Sequence, residues 1–124
     1  MKELTKAEEQ VMQYLWKIEK GFLKDIVDEY PEPKPAYTTI STVIRVLVKK
    51  GFIGHNTYGK INEYYPLISK KNYTKSFMGN MMKSFFNSSP KQFASFFARE
   101  SDLSVSELEE LKKLIDETIE EKKK

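Results

Sequence analysis

The chain has 124 residues, 40% of them hydrophobic, and a net charge of +3, which suits one compact domain or a small domain with an assembly module and excludes a disordered chain. It contains no Cys and one His, His55, so disulfides, thiolate metal sites, a Cys nucleophile and a His-based zinc site are excluded, and no cofactor is expected. No apolar run approaches the roughly 18 residues needed to span a bilayer, and residues 1–9 are polar rather than signal-like, so a cytoplasmic protein without membrane insertion is expected.

In chain order, Thr5-Lys6-Ala7-Glu8 has the spacing of a capping box and opens a first helix with Ala7, Val11, Met12, Leu15 and Ile18 on one face. That helix should end near Gly21. A short second helix is predicted over residues 23–30, with Leu23, Ile26, Val27 and Tyr30 aligned. Pro31, Pro33 and Pro35 then break the helix and form a stiff connector. Helix three is predicted over residues 38–50, stopping at Gly51. It places Ile40, Val43, Ile44 and Leu47 on one side and Thr38, Ser41, Thr42, Arg45 and Lys49 on the other. Two β segments, 53–57 and 61–65, flank Tyr58-Gly59-Lys60 and read as a hairpin ended by Pro66.

Three helices followed by a hairpin is the order of a winged helix-turn-helix, with the hairpin as the wing. The expected fold is therefore mainly α: a winged-helix DNA-binding domain over residues 1–69 and a helical dimerisation domain over 70–124. Charge agrees with this division. Residues 34–86 carry nine basic side chains against the single acid Glu63, whereas both flanking segments are net negative, so the positive field is confined to the middle of the chain. Thr38, Thr39, Ser41, Thr42 and Arg45 are the candidates for DNA contact on helix three, with Arg45 able to bond guanine bidentately. Lys49 and Lys50 can neutralise phosphates at the helix end. On the wing, His55, Asn56, Tyr58 and Lys60 are the available donors.

Beyond Lys70, a broad stripe of Tyr73, Phe77, Met78, Met81, Met82, Phe85 and Phe86 marks another helix. Pro90 suits the first turn of the next, which carries Phe93, Phe96 and Phe97. Ser104-Val105-Ser106-Glu107 is a second capping box, opening a last helix with Leu108, Leu111, Ile115 and Ile119 at spacings of three and four. The stripe could serve an intramolecular core, a lipid surface or a dimer interface; the dimer is favoured, since three short helices hold little core of their own. A symmetric dimer would present two recognition helices about 34 Å apart or a multiple of that, to an inverted repeat.

The segment YTTISTVIRVLVKKGFI at 37–53, Tyr64-Tyr65-Pro66 after the wing and ELEELKKLI at 107–115 together resemble the penicillinase and methicillin-resistance repressor family, over almost the whole chain. The resemblance implies a homodimeric bacterial repressor on an operator palindrome, blocking β-lactamase or related resistance genes. It also implies release by proteolysis, with a membrane sensor protease or its effector as a partner and a cut in the dimerisation domain near Phe96-Phe97. The best-known members have Asn-Phe at that place, where this chain has Phe96. A copper-responsive branch uses C-terminal cysteine clusters, and this chain has no Cys.

Two alternatives stay open. One is a regulator of the same architecture released by a small apolar ligand among Phe77, Met81, Phe85 and Phe93. The other is a winged-helix protein-interaction module. No enzymatic role is expected: Glu107, Glu109 and Glu110 sit among Lys as a solvated face, and no carboxylate pair lies near the basic segment to hold a nuclease metal.

Overall fold

In the computed structural model, which describes residues 3–124, the elements run α1(Lys6–Ile18), β1(Gly21–Phe22), α2(Leu23–Asp28), α3(Tyr37–Lys50), β2(Ile53–Tyr58), β3(Ile61–Pro66), α4(Lys70–Phe86), α5(Pro90–Glu100) and α6(Val105–Lys123). Residues 1 and 2 of the polar start lie outside the described residues. The chain divides into two compact units, Met1–Met78 and Gly79–Lys124, with the division falling inside α4.

In the first unit α1 begins as its sequence dictates. The Thr5 hydroxyl accepts from the Glu8 N–H at 3.2 Å, and the Glu8 carboxylate accepts from the Thr5 N–H at 2.9 Å, satisfying two of the helix's free donors. The helix buries Val11, Met12 and Leu15. Helix α2 is shorter than expected, ending at Asp28. Its start is held by Asp25, whose carboxylate accepts from the Phe22 N–H at 2.9 Å. Lys34, in the proline connector, donates to the carbonyls of Asp28 and Tyr30 at 2.9 and 2.7 Å, placing a cation where the end of the helix is negative.

Helix α3 buries Ile40, Ile44 and Leu47. It ends at Gly51, whose φ of 86° is open to glycine at little cost. The Phe52 N–H reaches back to the Leu47 carbonyl at 2.9 Å and the Gly51 N–H to that of Val48 at 3.1 Å, the paired bonds of a Schellman motif. This stop turns the chain into the wing. Strands β2 and β3 pair antiparallel from Ile53↔Pro66 to Tyr58↔Ile61, across a two-residue turn with Gly59 at φ 63°. Strand β1, absent from the sequence expectation, adds to the other edge of β3 through Gly21↔Tyr64 and Phe22↔Glu63, giving the order β1-β3-β2. Two residues carry no periodicity for a sequence reading to detect.

The core joins α1, α2, α3 and the base of the wing, with Phe52 and Ile53 buried at the turn into β2. Tyr73, expected in the dimer-facing stripe, instead closes this core: it is 7% exposed, and its ring lies 5.8 Å from Trp16 and 6.0 Å from Phe52. Trp16 donates its indole N–H to the Ile68 carbonyl at 2.8 Å, tying α1 to the segment that leaves the wing.

The second unit is different in kind. Neither α5 nor α6 has a buried residue. Phe86 packs edge-on to Phe93 at 5.4 Å, and Phe93 stacks on Phe97 at 5.8 Å. Yet Phe85 is 77% exposed, and Phe96, Leu114 and Ile115 are each more than half exposed. Ser104 and Glu107 form the expected capping box at the start of α6.

Candidate nucleic-acid interface

At 3.6 residues per turn, Thr38, Thr42, Arg45 and Lys49 of α3 fall within about 60° of one another on the helix circumference. All four are exposed, whereas Ser41 is half-buried beside them. Thr39 is exposed toward the other flank, together with Val46. The surface opposite the buried Ile40, Ile44 and Leu47 is therefore a continuous outward ridge of hydroxyls and cations. Thr42 donates its hydroxyl to the Thr38 carbonyl at 2.9 Å, which leaves the hydroxyl oxygen able to accept a further hydrogen bond. Val46 was missed as a site candidate because an apolar side chain reads as core. Its signal was its spacing, four residues after Thr42 and seven after Thr39.

The wing stands beside this ridge. His55, Asn56, Tyr58 and Lys60 are all exposed, although Tyr58 rests edge-on against Phe22 at 6.2 Å. Strand alternation puts His55 and Thr57 on one face with their partners Tyr64 and Asn62. The His55 and Tyr64 rings meet edge-on at 6.1 Å, and Thr57 donates to the Asn62 side-chain carbonyl at 2.8 Å. Between α3 and this face lies a cleft of about 280 Å³ lined by Ser41, Ile44, Arg45, Val48, His55, Asn62 and Tyr64. Asn62 and Tyr64 were not among the sequence candidates, though a two-residue turn at Gly59-Lys60 fixes their pairing with Thr57 and His55.

The charges do not all remain available. Lys50, expected to neutralise phosphate, is instead bonded at 2.7 Å to Glu8, and their side chains are only 22% and 8% exposed. Burial pushes the Glu8 carboxyl up, but hydrogen bonds from Lys50 and the Thr5 N–H, together with the Lys50 charge, bring it below its ordinary value. Lys34 is engaged by α2. Arg45, Lys49 and Lys60 make no ion pair among the described residues, so the ridge and the wing tip keep their positive field. Among the described residues no group of acidic or His side chains is placed to hold a metal ion. No helix among them is long and apolar enough to cross a membrane.

Comparison with known proteins agrees with the architecture. The family model described as penicillinase repressor matches residues 4–117. The methicillin resistance regulatory protein MecI of Staphylococcus aureus (strain N315) is 32% identical over 118 residues, covering 91% of this chain and 93% of its own. The penicillinase repressor of Bacillus licheniformis is 25% identical over 116 residues, covering 93% and 91%. Among solved structures, the DNA-binding domain of the repressor BlaI superposes with a TM-score of 0.50 at 28% identity, covering 59% of this chain and 94% of that one. The wing and the three helices before it thus have a winged-helix counterpart of known structure. A match along nearly the whole length, over both units, places the chain in the penicillinase repressor family, whose members are transcriptional repressors and not enzymes.

Proposed function

We propose that the chain is a homodimeric repressor that lays α3 in the major groove of an inverted-repeat operator and the wing alongside, blocking transcription of β-lactamase or related resistance genes. The observation that carries this reading is the outward ridge of α3. Its hydroxyls and Arg45 are exposed, are not committed to ion pairs, and stand next to a wing with further donors. A core helix would not keep such a face, and a helix evolved only for solubility would carry acids as well.

Dimerisation is supported by the second unit. Forty-six residues with no buried side chain in α5 or α6 are too few for an independent core, and the exposed Phe85, Phe96, Leu114 and Ile115 require cover. Release by a cut near Phe96-Phe97 fits the same picture. Neither α5 nor α6 buries a side chain within one chain, so α5 has little of its own to resist the local opening that a protease needs once the two copies part.

The test is a mobility-shift selection from genomic fragments against excess random duplex at two salt concentrations, with the mass of the complex measured. A palindromic fragment bound by two chains is the expected result. Uniform, salt-labile binding would favour the protein-interaction module instead.

A further inference from the structure

The cleft between α3 and the wing is lined mostly by polar side chains, one of them a cation. Ser41 and Arg45 come from the helix, and His55, Asn62 and Tyr64 from the wing. Every polar side chain lining it can donate a hydrogen bond, and none is a carboxylate. The nearest acid in sequence, Glu63, belongs to the opposite face of β3, as strand alternation requires. Asn62 is oriented by its neighbour. Its carbonyl oxygen accepts the Thr57 hydroxyl at 2.8 Å, so its NH₂ is the group left to donate.

We propose that this cleft seats one backbone phosphate of the bound duplex, with Arg45 as its cation and His55 and Asn62 as donors from the wing side. The proposal rests on α3 and the wing being the DNA-binding surface. If α3 occupies a major groove and the wing the adjoining minor groove, the strand that separates the two grooves must pass between them. The cleft is the place on the protein where that strand crosses, and its volume of about 280 Å³ leaves room for a phosphodiester group with bridging waters.

This gives Arg45 a role different from base reading. On the helix circumference it lies toward Ser41, on the wing side, while Thr42, Val46 and Thr39 lie progressively farther from the wing. Base readout then belongs to the far side of the ridge, and Arg45 sets the register of the helix against the backbone.

The experiment is a chemical double-mutant cycle on the duplex recovered by the fragment selection. Each phosphate in one half-site is replaced in turn by a neutral methylphosphonate, and affinity is measured for the parent protein and for Arg45→Ala and Asn62→Asp. One position is expected to cost the parent protein about tenfold, the size of one charge-assisted hydrogen bond. The same replacement should cost Arg45→Ala little. It should restore part of the affinity that Asn62→Asp loses by bringing a carboxylate against the phosphate. Because the readout is a ratio within each variant, a general loss of folded protein cancels. Losses that stay additive at every phosphate would overturn the seat while leaving DNA binding intact. So would coupling of Arg45→Ala to a 7-deazaguanine substitution instead. Failure of the parent protein to retain any duplex against random competitor would overturn both the seat and the repressor reading.

Discussion

Replacing Lys50 by Met tests whether the end of α3 is held by a buried charge pair rather than by apolar packing alone. The bond to Glu8 measures 2.7 Å, with Glu8 almost wholly buried and Lys50 22% exposed. Removing one partner of a fully buried pair costs about 3–5 kcal/mol, because the other charge is left without compensation. Solvent still reaches Lys50, and Glu8 keeps its bond from the Thr5 N–H, so the expected loss is about 2 kcal/mol. In a cooperative unit of this size that lowers Tm by about 10 °C. Thermal and urea unfolding of Lys50→Met, Glu8→Gln and the double variant give the coupling, expected at about 1 kcal/mol or more. The pH dependence has a defined sign. The folded-state carboxyl of Glu8 lies below its ordinary value of 4.5, so its contribution is fully present above that value and is lost as pH falls through the lowered folded value. The gap between parent and Lys50→Met should therefore narrow in acid. Single variants whose losses simply add, or a gap that persists unchanged at low pH, would refute the ion-pair account.

Trp16→Phe removes the donor to the Ile68 carbonyl and should cost about 1–2 kcal/mol in chemical denaturation. Gly51→Ala meets no neighbouring atom but must hold φ near +86°, so a loss of about 1 kcal/mol is expected from backbone strain alone. Lys60→Ala at the exposed wing tip should reduce the slope of log affinity against log salt by about one, equally for specific and random duplexes, in fluorescence anisotropy. Ile115→Lys, at an exposed apolar position of α6, should shift the chain from dimer to monomer in sedimentation while leaving the melting of the first unit in place.

The parts legible in the sequence are those written in local pattern. The Thr5 and Ser104 capping boxes, the apolar spacing of α3, the Gly51 stop and the Gly59 turn are each decided within a few residues, and each has its structural counterpart. What escaped was decided between distant segments. Lys50 counted as a free cation until the fold brought it to Glu8, 42 positions away. Tyr73 has the helical phase of the Phe/Met stripe, yet the space between Trp16 and Phe52 claims it. Strand β1 exists because β3 offers an open edge, not because Gly21-Phe22 prefers to be extended. In the interface the exposed helix face was readable, but the cleft was not. It requires both the wing register and its position beside α3.

The unequal packing of the two units bears on how such a repressor could be switched off. The first unit has a closed core containing every fully buried side chain among the described residues. The second leaves large apolar side chains uncovered, which another copy would cover in the proposed dimer. Damage there, by a cut or by a charged substitution, would spare the exposed face of α3 and, in the proposed dimer, remove only the coupling between two half-site contacts. Linking two weak contacts is worth about 10²- to 10⁴-fold in affinity. Losing that factor is enough to empty an operator without unfolding the unit that recognises it. A response confined to the second unit then leaves folded monomers with weakened but still sequence-selective binding, an outcome that separates loss of dimerisation from loss of recognition.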